Sequence, residues 1–82
     1  MEVTYNGKTI SLTKTEGKIY SILLERAGKV VGREEIIQAL YGRDLDSRVV
    51  DVYIGYLKAK LGKKSIETVR KYGYSLQVGK IS

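Results

Sequence analysis

The chain has 82 residues, room for one domain or for a piece of a longer protein. A fold this small buries only about two-thirds of its surface, so it has one modest core and no large enclosed pocket. With no Cys and no His, thiol and imidazole catalysis, disulfides and zinc sites of the usual kind are excluded, and an enzyme would have to run on carboxylates, hydroxyls and lysines. Fifteen Lys and Arg against nine Asp and Glu give a net charge of +6, and the excess is unevenly placed. Residues 1–46 carry seven of each sign, whereas residues 47–82 carry eight basic residues (Arg48, Lys58, Lys60, Lys63, Lys64, Arg70, Lys71, Lys80) against Asp51 and Glu67. Tyr53, Tyr56, Tyr72 and Tyr74 fall in the same segment, and basic residues mixed with aromatics are what a nucleic-acid contact surface needs. The plainer alternative is a solvated basic face. Met1 to Thr9 is polar and the apolar runs at Ile19 to Leu24 and Val49 to Ile54 are short, so neither a signal peptide nor a membrane span is readable and a soluble cytoplasmic protein is expected.

In chain order, alternating stretches at Glu2 to Tyr5 and Lys8 to Leu12 flank Asn6-Gly7, a dipeptide that tolerates positive φ and marks a hairpin. Thr13 and Glu16 have capping-box spacing, which predicts a first helix from Lys14 to about Ala27, with Ile19, Ile22, Leu23 and Ala27 on its buried face and Gly28 as its stop. Lys29 to Val31 reads as a brief strand. Glu34 and Glu35 suit the first turn of a second helix that carries Ile36, Ile37 and Leu40 inward and stops at Gly42. After a tight link from Arg43 to Asp46, either Asp46 or Ser47 can cap a third helix that ends at Leu61 before Gly62. Its apolar seam is Val50, Ile54, Leu57 and Leu61. The opposite face carries Arg48, Val52, Gly55 and Ala59, flanked by Asp51 and Tyr56, an unusually small and apolar surface for a solvated helix. Ile66 to Val69 and Tyr74 to Val78 read as two strands around Arg70-Lys71-Tyr72-Gly73, with Gly73 supplying turn freedom.

This order predicts an α+β fold, a winged helix-turn-helix of three helices with an N-terminal β-hairpin and a C-terminal β-hairpin wing. It divides one domain into a hairpin at 2–12, a three-helix core at 13–62 and a wing at 65–79. The residues that carry it, Leu12-Thr13 with Glu16, Gly28-Lys29-Val30-Val31 with Arg33, Val50-Asp51-Val52-Tyr53-Ile54, Leu57-Lys58 with Leu61, and Thr68-Val69-Arg70 with Gly73-Tyr74, resemble the OmpR/PhoB-type winged-helix DNA-binding domain of response regulators. The resemblance covers essentially the whole chain.

The resemblance implies sequence-specific binding of double-stranded DNA in transcription regulation, as the effector domain of a two-component response regulator or as a stand-alone regulator. It further implies head-to-tail pairing on direct repeats and RNA polymerase as a partner. The site so implied comprises Arg48, Asp51, Val52, Tyr53, Gly55, Tyr56 and Lys58 on the third helix and Thr68, Arg70, Lys71 and Tyr72 on the wing. Asp51 and Val52 match the base-reading pair, and the chemistry agrees: a carboxylate accepts from cytosine N4 and a branched methyl packs on the thymine methyl. Tyr53, Lys58 and Thr68 match phosphate contacts, and the wing arginine, Arg70, matches the residue that enters the minor groove. No catalytic residue, metal set or cofactor is implied.

Several residues depart from the family pattern. Gly55 and Tyr56 replace a basic pair, so a different base or shape is expected to be read. Gly17 replaces a buried aromatic, which predicts a thinner core beside the first helix. Only one hairpin precedes Thr13, so the family's four-stranded opening sheet is halved, and the phosphate-receiving domain has no room in this length. Duller readings stand beside the sharp ones: Asp51 capping the helix or pairing with Arg48 on its surface, Tyr74 as a packing residue of the wing strand, Tyr56 as ordinary surface, and the whole chain as a protein-binding winged helix with a basic surface.

Overall fold

The computed structural model describes residues 1–42, 46 and 48–77. Two antiparallel hairpins flank three helices in the order β1 (Glu2–Tyr5), β2 (Lys8–Ser11), α1 (Lys14–Glu25), α2 (Arg33–Tyr41), α3 (Arg48–Leu61), β3 (Ile66–Val69) and β4 (Gly73–Leu76). The architecture is α+β, a winged helix. In the first hairpin Tyr5 faces Lys8 across Asn6-Gly7, whose φ values of 51° and 79° are the two positive angles that a two-residue turn matched to strand twist requires. The Tyr5 hydroxyl donates to the Gln77 carbonyl, joining this hairpin to the far end of the wing.

The predicted capping box is present: Glu16 N–H donates to Thr13 Oγ1 at 3.2 Å and Thr13 N–H to Glu16 Oε1 at 3.0 Å. The same Glu16 oxygen accepts from Lys60 at 2.6 Å, so the start of α1 is bolted to the end of α3 through a carboxylate that is only 3 % exposed. Burial pushes the Glu16 carboxyl up, but Lys60 and the Thr13 backbone together outweigh it and hold it below its ordinary value.

Ile19 and Leu23 of α1, Ile36 and Ile37 of α2, and Val50, Ile54 and Leu57 of α3 meet in one core, closed by Val31, Ile66 and Leu76. Each such side chain taken fully out of water contributes about 1.5–3 kcal/mol. Leu61, the last residue of the predicted α3 seam, is half-buried and packs against this core, as does Ile22 of α1.

Several expected boundaries shift. α1 stops at Glu25 instead of Ala27, because Arg26 N–H and Ala27 N–H reach back only three residues, to Leu23 O (3.2 Å) and Leu24 O (3.1 Å), while Gly28 N–H turns away to Leu76 O at 3.0 Å. The strand expected over Lys29 to Val31 reduces to a single bridge between Val31 and Tyr74, closed by bonds of 2.7 and 3.0 Å. The last strand runs Gly73–Leu76, so Gly73 is a strand residue and not a turn residue; Lys71, at φ 73°, takes the left-handed turn position instead. Gly73 has its own reason: at φ 144° a Cβ there would overlap the Val31 carbonyl, so the bridge requires glycine. Gly17 is buried, and the Met1 sulfur occupies the place of its missing side chain, which fills part of the expected thin spot.

At the start of α3, Asp46 Oδ1 accepts from Arg48 N–H at 3.0 Å and Asp46 O from Val49 N–H at 3.1 Å, so Asp46 serves the cap. The remainder of the link (43–45), the alternative cap Ser47, the expected strand end Val78, the wing limit at 79 and the basic residue Lys80 lie outside the described residues.

Candidate nucleic-acid interface

The face of α3 turned from the core exposes Val52 (54 %) and Tyr56 (53 %), with Gly55 between them and Arg48 and Ala59 at its ends. Tyr53 leans on the core edge and meets Tyr56 edge to face, 6.1 Å between ring centres, which props Tyr56 upright. Arg48 is paired with Asp46 and not with Asp51: Nη2 lies 2.6 Å from Asp46 Oδ2, and that bond with the Arg48 backbone amide holds the Asp46 carboxyl down to about 2. The alternative reading of Asp51 as a surface partner of Arg48 is therefore wrong.

Asp51 has two other partners. Arg33 Nε at the start of α2 forms an ion pair with Asp51, 3.0 Å from Oδ1, and the Tyr74 hydroxyl donates to the same oxygen from β4. The Arg33 guanidinium also lies over the Tyr74 ring, 6.0 Å from its centre. Burial, then the bond to Asp51, raises the Tyr74 hydroxyl above its ordinary value, so it remains a donor at neutral pH. Tyr74 is 4 % exposed and packs in the core, in agreement with its reading as a packing residue, but its hydroxyl has a polar role as well. Neither Arg33 nor Tyr74 was expected at the site. Tyr74 is 23 residues from Asp51, and no local spacing signals a pair that only the fold brings together.

The helix and the wing meet at one further point. Lys58 Nζ donates to Thr68 Oγ1 at 3.2 Å, joining two residues that the resemblance gives phosphate roles. Beyond Thr68 the wing narrows to the loop Arg70, Lys71 and Tyr72, all exposed, with Tyr72 at 72 %. An open cleft of about 280 Å³ separates this loop from the start of α2, with Arg33, Arg70 and Lys71 on its walls. Lys60, by contrast, is spent on Glu16. Among the described residues, no group of acidic side chains is arranged to hold a metal ion, and no helix is long and apolar enough to cross a membrane.

A helix-turn-helix core followed by a hairpin wing, with a small-residue helix face and a basic wing tip, defines a winged-helix domain. The family described as "Transcriptional regulatory protein, C terminal" matches residues 7–76, and the chain belongs to it. It is the OmpR/PhoB class of response-regulator domain, whose work is DNA binding in transcription regulation and not catalysis. The chain is 43 % identical over 82 residues to the response regulator ArlR of Staphylococcus epidermidis, covering 93 % of this chain and 37 % of that protein. With the response regulator PmrA of Pseudomonas aeruginosa it shares 38 % over 77 residues, 92 % of this chain and 35 % of the other. The chain thus spans little more than a third of these curated relatives. Among solved structures, the DNA-binding domain of Klebsiella pneumoniae RstA in complex with the RstA box superposes with a TM-score of 0.81 at 29 % identity, covering 93 % of this chain and 82 % of that one. The DNA-binding domain of CpxR from E. coli gives 0.80 at 30 % identity, with 96 % and 84 % covered.

Proposed function

We propose that this domain binds duplex DNA sequence-specifically, with α3 in the major groove and the wing tip in the adjacent minor groove, as the effector domain of a cytoplasmic response regulator. The observation that carries the reading is the Lys58–Thr68 bond, which ties the exposed face of α3 to the wing so that both can meet one duplex. Asp51, Val52 and Tyr56 then face base edges, and Arg48, Tyr53, Lys58 and Thr68 border the phosphates. Gly55 lets the helix axis approach the groove floor. Arg70 is long and flat enough to enter a narrow A·T-rich minor groove, where negative potential is concentrated, while Lys71 and Tyr72 flank it. Two copies bind head to tail on a direct repeat, and RNA polymerase is the partner that the bound dimer recruits.

Selection of bound sequences from a random duplex pool tests the reading, followed by titration of the selected site against salt. Four to six phosphate contacts predict a logarithmic salt slope of roughly minus four to minus five. Arg70→Ala is expected to leave thermal stability unchanged, to weaken the selected site about fivefold or more and to relax a flanking A·T preference. No enriched sequence and a flat salt response would refute the proposal.

A further inference from the structure

The Arg33–Asp51–Tyr74 cluster has a geometry that packing alone does not call for. A carboxylate on the outer flank of a helix is ordinarily solvated and free to rotate, and a rotating acceptor carries little information about the base it meets. Asp51 is instead held at one edge: the Tyr74 hydroxyl donates to Oδ1, the Arg33 guanidinium is ion-paired to the same oxygen with Nε at 3.0 Å, and no described residue bonds Oδ2. The side chain is still 35 % exposed, so Asp51 is not sealed from what approaches this face. The ion pair with Arg33 also neutralises a charge that phosphates would otherwise repel.

We infer that Arg33 and Tyr74 are positioning residues that clamp Oδ1 of Asp51 and so present Oδ2 as a fixed hydrogen-bond acceptor to a base amino group in the major groove. An ionised carboxylate only accepts, so the bases it selects are those offering an exocyclic amine, cytosine through N4 or adenine through N6. The clamp draws on α2 through Arg33 and on β4 through Tyr74, so the acceptor's direction is set by the junction of helix pair and wing. This inference rests on the reading of α3 as the base-contacting helix. It assigns specificity to a residue that does not touch DNA: Tyr74 is 4 % exposed, and its hydroxyl is turned to Asp51.

Tyr74→Phe isolates the effect, since it retains the ring and its packing and deletes only the hydroxyl. Binding of Tyr74→Phe, Asp51→Ala and the double variant would be measured on the selected duplex and on duplexes altered one base pair at a time, with melting curves as the check on folding. Tyr74→Phe is expected to lower discrimination about three- to tenfold at the one base pair where Asp51→Ala relaxes preference, the range expected for loss of one orienting hydrogen bond. At every other position it should change binding by less than about twofold, and in the Asp51→Ala background it should add nothing. Arg33→Lys, which keeps the charge but loses the planar guanidinium beside Oδ1, should relax the same position. Full discrimination in Tyr74→Phe beside a relaxed Asp51→Ala would overturn the clamp while leaving the reading of α3 intact. A uniform loss of affinity at all positions would reduce Tyr74 to scaffold and overturn it as well. Unchanged preferences in Asp51→Ala would remove the base contact itself, and the clamp with it.

Discussion

Gly55→Ala separates what the fold needs from what the groove needs. Gly55 lies within α3, its φ is not positive, and a Cβ built there has nothing within 4 Å, so the protein itself gives no steric reason for glycine. Within a helix glycine is less favourable than alanine by about 1 kcal/mol, because it surrenders more backbone freedom on folding. The variant should therefore be more stable by about 1 kcal/mol, which for a domain of this size raises Tm by roughly 4–8 °C. Binding should move the opposite way. The new methyl stands between Val52 and Tyr56 on the face proposed to meet the groove floor, and forcing a methyl into a packed contact costs about 1–3 kcal/mol, or at least fivefold in Kd. Thermal melts of the free protein and titrations on the selected duplex measure both. Higher stability with unchanged binding would show that this face stands clear of DNA and would refute the close approach; no gain in stability would refute the helix accounting.

Glu16→Gln should cost about 1–2 kcal/mol at neutral pH, since the amide retains an acceptor for Thr13 but loses the charged bond to Lys60. Folding lowers the Glu16 pKa, so its contribution is complete above the ordinary value of 4.5 and fades as the pH falls through the depressed one. Urea melts from pH 7 to pH 3 should accordingly show a smaller acid loss in the variant than in the parent, and parallel curves would contradict the assignment. Gly73→Ala should destabilise by about 3 kcal/mol or more, because it combines a positive φ with overlap on the Val31 carbonyl. A melting temperature within a degree of the parent's would mean that the bridge is dispensable.

Features of the fold that depend on near neighbours were legible in the sequence. The capping box is written in Thr13 and Glu16, the first turn in Asn6-Gly7, and the inward seam of α3 in the spacing of Val50, Ile54 and Leu57. What failed depends on distant partners. Lys29 to Val31 has the composition of a strand, but a strand exists only where a neighbour runs alongside, and β4 passes close enough to pair at Val31 alone. The stop of α1 falls short of the position its spacing predicts because Gly28 N–H is claimed by Leu76, far along the chain. At the candidate site, the residue types on α3 and the wing could be named from the sequence and from resemblance, whereas their connections could not. That Asp51 answers to Arg33 and Tyr74, and that Lys58 reaches Thr68, are products of how α2, α3 and the wing converge.

The lone bridge at Val31 also bears on self-association. A two-stranded hairpin offers two open edges, each a row of backbone donors and acceptors that a second chain can extend into a larger sheet. On β4 that row is already engaged: Tyr74 gives both its N–H and its C=O to Val31, and the Leu76 C=O accepts from Gly28. The edge that remains belongs to β3, a strand of four residues carrying exposed Glu67 and a Thr68 whose hydroxyl accepts from Lys58, and a short strand with charged side chains discourages strand addition. Projecting hairpins are ordinarily the sticky parts of a small protein. Here the segment between α1 and α2 lends just enough backbone to blunt one edge of the wing, leaving that hairpin a single short edge on which strand addition could start.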